Sequence, residues 1–314
     1  MVLRLENVNK AYGSKKAVDN LDLKVPAGSI YGIIGPNGAG KTTTIRMIMN
    51  IIAPDSGEIL FNGKTIDASF KNKVGYLPEE RGLYKQMTVK EVILYLGQLK
   101  LASRADISSV MDGYLERMNL LDYKNSKVEE LSKGMQQKLQ FITTLIHDPE
   151  ILILDELFSG LDPINIELIK DVILEFKKNG RTVLFSTHVM EQAEKLVDNI
   201  CMISGGKKVL DGTLHEVKGN YGKNTVRLEI EGDGSFLREL PGVDKVTNFT
   251  NYYELTLADM SQSTTLLKSI IDKVRVNRFE VIEPSLYNIF IEMASPSRED
   301  IKELAGQDAG RTAS

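Results

Sequence analysis

A short glycine-rich segment carries residue types that suit phosphate binding. The segment from Gly35 to Thr42 reads Gly-Pro-Asn-Gly-Ala-Gly-Lys-Thr, which fits the pattern G-x-x-x-x-G-K-[ST]. Glycines let backbone N–H groups approach phosphate oxygens, and the start of a following helix adds its positive dipole end. Lys41 is expected to contact the β- and γ-phosphates of a nucleotide, and the Thr42 hydroxyl to ligate Mg²⁺. The alternative is a strand-to-helix turn that binds nothing. The candidate nucleotide-binding residues here are Gly35, Pro36, Asn37, Gly38, Ala39, Gly40, Lys41, Thr42 and Thr43.

Two carboxylates follow an apolar run further along the chain. Residues Ile151 to Leu154 are predicted to form a strand buried on both faces, and Asp155 and Glu156 come directly after it. Open α/β sheets bind ligands at the carboxyl ends of their strands. Asp155 is therefore suited to hold Mg²⁺ through water, and Glu156 to polarise a hydrolytic water. Without the glycine-rich segment, a strand ending in solvated acids would be the favoured interpretation.

Three more residues are weaker candidates on their own. His188 follows the predicted strand Thr182–Thr187, where contact with a γ-phosphate is expected, although a lone histidine is usually structural. Tyr12 is placed in a loop, where its ring can stack on adenine, although an exposed tyrosine is ordinary. Ser132 is a natural helix cap, and exposed N–H groups at a helix start can bind an anion, although such caps are commonplace.

Apolar periodicity predicts the elements that position these residues. A buried strand at 29–34 and a helix at 43–49 flank the glycine-rich segment, and alternation predicts strands at 2–8 and 21–25. Thr88 and Glu91 form a predicted capping box for a helix with Val92, Ile93, Tyr95, Leu96 and Leu99 on its apolar face. A second helix is predicted over 106–118. The alternation of strands and helices indicates an α/β fold.

Composition limits the classes of protein and of partner. The chain has 314 residues, 42% apolar and 26% charged, and a net charge of -4 without a long basic run, so no nucleic-acid partner is expected. No stretch approaches the length of an apolar membrane span, and no signal-peptide pattern opens the sequence, so we expect a cytosolic location. The single cysteine, Cys201, excludes an intrachain disulfide and a cysteine-rich zinc site, and its apolar neighbours predict a buried thiol.

Six motifs in a fixed order make residues 1–215 resemble the ATP-binding subunit of an ABC transporter. They are the adenine-stacking aromatic Tyr12, the phosphate loop Gly35–Thr42, the signature Leu131, Ser132, Lys133, Gly134 and Met135, the acids Asp155 and Glu156, the inter-subunit loop Ser159, Gly160, Leu161 and Asp162, and the switch His188. The resemblance implies a P-loop NTPase cassette: a mixed central sheet with an antiparallel β subdomain and a helical signature subdomain at about 86–147. It also implies ATP hydrolysis with ATP and Mg²⁺ as cofactors. Glu156 and His188 would be the catalytic residues, and Thr42 and Asp155 the metal ligands.

The resemblance implies partners as well. A second ATP-binding subunit would form a head-to-tail homodimer, in which the signature of one subunit closes on the ATP held by the other. A separate integral membrane permease would bind near residues 79–99 and hold the dimer at the cytoplasmic face of the cell membrane as a peripheral protein.

The sequence departs from the family pattern at three places. Lys133 and Met135 stand in the signature in place of the usual residues, Leu157 replaces the proline common after the catalytic glutamate, and Glu79 replaces a glutamine. Glu79 is a further candidate metal ligand. The segment 76–84 resembles the sodium-extruding subgroup of these subunits, which favours export over import.

The remaining third of the chain predicts a small α+β domain over 216–295. Strands are expected at 226–230, 246–249, 253–257 and 279–282, with the middle two paired, and a helix is expected at 261–274 with Leu266, Leu267, Ile270 and Ile271 on one face. Residues 283–293 resemble the closing helix of the C-terminal domain of exporter subunits. A dimerising or stabilising appendage is the alternative to a ligand-binding role. Residues 296–314 are polar, and we expect them to be disordered.

Two other functional classes compete with a transport ATPase. A soluble ABC ATPase that acts on ribosomes usually has two cassettes in one chain, whereas this sequence has one phosphate loop. A soluble ABC ATPase that acts in DNA repair carries coiled-coil or zinc insertions, whereas this sequence has no heptads and no cysteine cluster. A regulator that does not hydrolyse ATP conflicts with the presence of Lys41, Asp155 and Glu156.

Overall fold

The computed structural model describes residues 1–67, 69–80, 82–221 and 224–294. The chain divides into two compact units, Met1–Thr213 and Leu214–Ser314. That the units fold as independent domains with a boundary at residue 215 stays a prediction. The tail expected to be disordered, 296–314, lies outside the described residues. Within the described part of the chain, no helix is long and apolar enough to cross a membrane.

The first unit alternates strands and helices along the chain. Its strands are β1 (Leu3–Tyr12), β2 (Lys15–Val25), β3 (Ile30–Ile34), β4 (Ser56–Phe61), β5 (Lys64–Thr65), β6 (Val74–Leu77), β7 (Ile151–Leu154), β8 (Thr182–Thr187), β9 (Asn199–Ser204) and β10 (Lys207–Thr213). Its helices are α1 (Lys41–Ile48), α2 (Phe70–Lys73), α3 (Val89–Leu99), α4 (Arg104–Arg117), α5 (Lys133–Leu145), α6 (Pro163–Lys178) and α7 (Met190–Glu194).

The main sheet of this unit has six described strands in the order β10-β9-β3-β8-β7-β6. All neighbours run parallel except β10, which pairs antiparallel with β9. Every residue of β3, β7 and β8 is buried, as expected for parallel strands covered on both faces. Cys201 is buried in β9, which confirms the predicted core thiol. The parallel arrangement brings the loops after β3, β6, β7 and β8 to one edge of the sheet.

A second sheet has the order β2-β1-β4-β5 and is antiparallel. Strand β1 continues past the predicted end at Val8, so the prediction that Tyr12 lies in a loop is wrong. Tyr12 pairs with Lys15 across a two-residue turn that begins at Gly13, where φ is 60°. Backbone pairing in this hairpin extends the strand through residues 9–12, in which apolar and polar residues do not alternate.

Helices α3, α4 and α5 form the region between β6 and β7. The predicted capping box is present, because Thr88 accepts from the backbone of Glu91 and the Glu91 carboxylate accepts from the backbone of Thr88. Tyr95 and Leu99 are exposed, so their predicted places on the apolar face are wrong. Helix α3 buries Leu94 and Gly97 instead, and the Tyr95 ring contacts Tyr84 edge-on with 5.3 Å between centroids.

The second unit is an α+β arrangement. It contains α8 (Leu214–Asn220), β11 (Thr225–Ile230), β12 (Val243–Asn248), β13 (Tyr253–Leu257), α9 (Ser263–Ile271), β14 (Val276–Ile282) and α10 (Leu286–Ala294). The described strands pair antiparallel in the order β12-β13-β11-β14. The pairing of β12 with β13 confirms the predicted pairing of 246–249 with 253–257. Leu266 and Ile270 are buried in the core of this unit, whereas Ile271 is exposed, contrary to its predicted place on the same face.

Candidate active site

An open cleft of about 440 Å³ is lined by eleven of the candidate residues. That volume is in the range of small-molecule and cofactor sites. The cleft is lined by Tyr12, Lys15, Ala17, Asn37, Gly38, Gly40, Lys41, Thr42, Thr43, Glu79, Glu156, Ser159 and His188. These residues come from the β1–β2 hairpin, from the start of α1 and from the loops after β6, β7 and β8. The topology therefore assembles one site from segments far apart in sequence.

The loop between β3 and α1 has a backbone suited to anions. Gly40, the residue before α1, has φ 111°, and a Cβ there would lie 2.3 Å from the Ala17 carbonyl oxygen, so only glycine fits. No side chain caps the start of α1, which leaves its first N–H groups available to a ligand. Gly35, Pro36 and Ala39 do not line the cleft. They belong to the loop itself, and the carbonyl oxygens of Gly35 and Pro36 accept hydrogen bonds from Lys41 Nζ.

Lys41 is buried, with 4% of its surface exposed, and its ammonium is fully engaged. The Nζ atom donates to the Gly35 carbonyl at 2.9 Å and to the Pro36 carbonyl at 3.1 Å. It also lies 3.1 Å from Glu156 Oε1. Phosphate oxygens entering the cleft would compete with these acceptors for the same charge.

Glu156 is held by contacts at both its carboxylate and its backbone. Its side chain is buried, and Oε2 lies 2.9 Å from His188 Nδ1. Its backbone N–H donates to Ser186 Oγ at 3.0 Å. Its φ of 50° is a left-handed conformation that side chains other than glycine and asparagine rarely adopt. The two predicted catalytic residues thus lie together, and the fold enforces a strained backbone at one of them.

Asp155 is 2% exposed and lies beside Thr42. Its Oδ1 atom accepts from Ser186 Oγ at 2.5 Å and from Thr42 Oγ1 at 3.3 Å. Its Oδ2 atom is buried without a hydrogen-bond partner among the described residues. Burial raises the pKa of Asp155, and the hydrogen bonds from Ser186 and Thr42 oppose that shift. A carboxylate with an unpaired oxygen beside a hydroxyl is a donor set that fits a hard cation such as Mg²⁺.

Glu79 lines the cleft and also a smaller chamber of about 60 Å³ behind it. The chamber is lined by Leu77, Pro78, Glu79, Gln137, Gln140, Asp155, Glu156 and Ser159. Gln137, from α5, donates to the carbonyl of Leu157 at 2.8 Å and so ties this helix to the loop after Glu156. Three carboxylates therefore surround a space large enough for one or two waters.

The signature residues 131–135 do not line the cleft of their own chain. Ser132 caps α5 as predicted, with its hydroxyl accepting from the Met135 backbone at 3.2 Å. Of the four inter-subunit loop residues only Ser159 lines the cleft, and Asp162 caps α6 by accepting from the Asn165 backbone at 2.9 Å. The signature and most of the inter-subunit loop therefore lie outside the cleft that the phosphate loop lines.

Several residues of the site were absent from the sequence-based set. Strand β8 contains three hydroxyl residues, Thr182, Ser186 and Thr187, so residue type alone does not single out Ser186. Lys15 and Ala17 reach the cleft through hairpin pairing, and Gln137 and Gln140 reach the chamber through helix packing. Those four depend on tertiary contacts and had no local signal.

Known proteins are similar to this chain in sequence and in fold. A family model described as "ABC transporter" matches residues 18–159, and one described as "ATP-binding protein DrrA1-3-like, C-terminal domain" matches residues 212–294. The chain is 43% identical over 291 residues to the uncharacterized ABC transporter ATP-binding protein YhaQ of Bacillus subtilis, covering 93% of this chain and 98% of that protein. It is 37% identical over 219 residues to the Nod factor export ATP-binding protein I of Cupriavidus metallidurans, covering 69% of this chain and 72% of that protein.

A solved structure of an ATP-binding subunit of an ABC transporter agrees with the fold. It superposes with a TM-score of 0.66 and 29% identity, covering 71% of this chain and 94% of the other. The chain belongs to the ATP-binding proteins of ABC transporters and is an ATPase.

Proposed function

We propose that this ATPase drives export of ions, with Na⁺ as the first candidate, or of small molecules through a separate integral membrane permease. The observation that carries the proposal is a nucleotide-sized cleft in which Glu156 contacts both Lys41 and His188. Export is supported by the name of the Nod factor relative. Sodium is supported by the likeness of segment 76–84 to sodium-extruding subunits. The protein would lie at the cytoplasmic face of the membrane, and its permease would select the substrate.

The residues of the cleft divide the work of hydrolysis. The phosphate loop and Lys41 bind the β- and γ-phosphates and offset charge as the terminal P–O bond breaks. The Glu156 carboxylate accepts the proton of the attacking water, and His188, held against Glu156, orients that carboxylate beside the γ-phosphate. Mg²⁺, when bound by Thr42 and Asp155, neutralises phosphate charge. The Tyr12 ring, exposed at the mouth of the cleft, is the platform for the adenine.

A second copy of the chain would complete the site. Residues 131–135 lie outside the cleft of their own chain, and Ser132 starts a helix of thirteen residues whose N-terminal dipole end favours phosphate. Head-to-tail pairing would bring this helix start to the ATP of the partner subunit. This arrangement supports a homodimer that closes on two ATP molecules.

Co-purification with the permease tests the proposed function. A tagged chain would be expressed with candidate membrane proteins from its own genome, and any pair that forms would be isolated in detergent and reconstituted in vesicles. The proposal expects ATPase activity stimulated by the permease, and ATP-dependent Na⁺ accumulation in vesicles with outward-facing ATPase sites. Stimulation without Na⁺ movement would direct the search to small molecules. A chain that binds no membrane protein and instead sediments with ribosomes would overturn the proposal.

Replacing Glu79 by glutamine is expected to raise the Mg²⁺ concentration needed for half-maximal ATPase rate while leaving the enzyme active. Glu79 lines the cleft and the chamber together with Glu156, and a charged oxygen binds Mg²⁺ more strongly than an amide oxygen. The measurement is a Mg²⁺ titration of ATPase activity, preferably with the permease present. Glu80→Gln is the matched control, because Glu80 is exposed and lines neither space. An unchanged requirement in Glu79→Gln would make Glu79 a solvated loop acid.

A fragment of residues 1–215 is expected to bind ATP with the affinity of the full chain. Every residue that lines the cleft precedes the cut, and both sheets of the first unit lie within the fragment. Nucleotide binding and size-exclusion chromatography with ATP would be compared for the two proteins. Loss of only the ATP-induced dimer would assign dimerisation to the C-terminal domain. A folded fragment without ATP binding would show that the proposed domain boundary is wrong.

A further inference from the structure

One buried hydroxyl connects the two acids of the active site. Ser186 lies in β8, has none of its surface exposed, and is a polar residue in a strand whose central positions are apolar. Its Oγ–H donates to Asp155 Oδ1 at 2.5 Å, and the same oxygen accepts from the Glu156 backbone N–H at 3.0 Å. A hydroxyl has one donor and two acceptor sites, so both bonds can form at once.

The sheet places this hydroxyl beside the acids. Strands β7 and β8 run parallel with Leu154 opposite Phe185, so the next residues along each strand, Asp155 and Ser186, are neighbours. Glu156 then leaves the strand with φ 50°. Its N–H, buried at the base of the cleft, would have no partner in the sheet ladder at this turn. Ser186 supplies that partner while its proton fixes one oxygen of Asp155.

We propose that Ser186 is a positioning residue for ATP hydrolysis, which sets the carboxylate of Asp155 toward Mg²⁺ and holds the backbone of Glu156 in its left-handed turn. Asp155 Oδ1 takes hydrogen bonds from Ser186 and Thr42, which fixes the plane of the carboxylate while Oδ2 keeps no partner among the described residues. Ser186 has no exposed surface and does not line the cleft, so it would act through Asp155 and Glu156 and not on the nucleotide directly. The inference depends on the Mg²⁺ role proposed above for Asp155.

Removing the hydroxyl is expected to weaken Mg²⁺-dependent binding selectively. Groups that orient metal ligands typically contribute about 10- to 100-fold in metal affinity or activity. Ser186→Ala should therefore lower the affinity for Mg²⁺-ATP by about 10-fold or more and leave the affinity for ATP in EDTA unchanged. Affinities would be measured with a fluorescent ATP analogue in the Glu156→Gln background, which prevents turnover. In the otherwise unchanged protein, the same substitution should lower kcat by about 10- to 100-fold.

Thr182 provides a matched control at the other end of β8. It is also buried, and its hydroxyl accepts a backbone N–H from Gly28 at 2.9 Å, but it does not line the cleft. Thr182→Ala should lower thermal stability as much as Ser186→Ala while leaving the Mg²⁺ dependence of binding unchanged. Ser186→Thr keeps a hydroxyl and should restore the Mg²⁺ dependence if the protein folds around the added methyl.

Two results would overturn the proposal. In the first, Ser186→Ala lowers ATP affinity equally with Mg²⁺ and with EDTA, as a purely structural role predicts. In the second, Ser186→Ala has the Mg²⁺ dependence and kcat of the unchanged protein. Asp155→Asn separates this inference from the function proposed above. If ATP affinity in Asp155→Asn depends on Mg²⁺ as in the unchanged protein, the metal role of Asp155 is refuted. If that dependence changes in Asp155→Asn but not in Ser186→Ala, only the role of Ser186 is refuted.

Discussion

Replacing Glu156 by glutamine is expected to preserve ATP binding and to slow hydrolysis by about 10²- to 10⁴-fold, the usual contribution of a general base. The amide has nearly the same shape as the carboxylate but cannot accept a proton from water. The substitution also removes the negative charge that faces Lys41 at 3.1 Å, so the ammonium becomes more available to phosphate. Affinity for ATP should therefore be at least that of the unchanged protein.

Two measurements check this prediction. Phosphate release gives the rate, and size-exclusion chromatography with ATP should show a stable dimer, because the slow enzyme keeps its nucleotide. Glu150→Gln is the matched control, since Glu150 precedes β7 and pairs with Lys73 at the exposed surface. A Glu156→Gln protein that hydrolyses ATP at the rate of the Glu150→Gln control would place the base elsewhere.

Replacing Lys41 by alanine is expected to abolish tight ATP binding. Hydrogen bonds to charged groups contribute about 1.5–3 kcal/mol each, so the loss of an ammonium from the phosphates should lower affinity by at least about tenfold. The substitution also removes a buried cation from a buried carboxylate. Breaking such a pair typically destabilises a protein by about 3–5 kcal/mol, because one charge is left uncompensated, although His188 and the cleft solvent reduce that figure here.

A double substitution separates the two effects of Lys41→Ala. Adding Glu156→Gln removes the uncompensated charge, so the melting temperature without nucleotide should recover while ATP binding stays weak. Lys73→Ala is the control, since it breaks an exposed ion pair whose contribution is about 0–1 kcal/mol. Tight ATP binding by Lys41→Ala would refute the assignment of Lys41 to the phosphates.

The parts of the site that the sequence predicts are those fixed by short segments. The phosphate loop and the acids after β7 each follow one strand, so local pattern places them at the edge of the sheet. Tyr12 lines the cleft, but it lies in strand β1 and not in the predicted loop. Hairpin pairing with β2, and not apolar alternation, extends β1 to this residue. Ser186, Lys15 and Gln137 reach the site only through contacts between elements distant in sequence, which no local pattern specifies.

Helix α5 touches two sites at once in the proposed dimer. Its first turn carries Ser132 and Gly134, which face the partner's ATP in that arrangement, and one turn later Gln137 holds the carbonyl of Leu157 beside the catalytic Glu156 of its own chain. Rigid secondary-structure elements are among the structures that carry energetic coupling between sites. Ser132 and Gln137 are separated along the helix axis by about 7.5 Å, the rise of five helical residues. Two ATP molecules in such a dimer would be mechanically connected through a segment of six residues, 132–137, with no hinge between them.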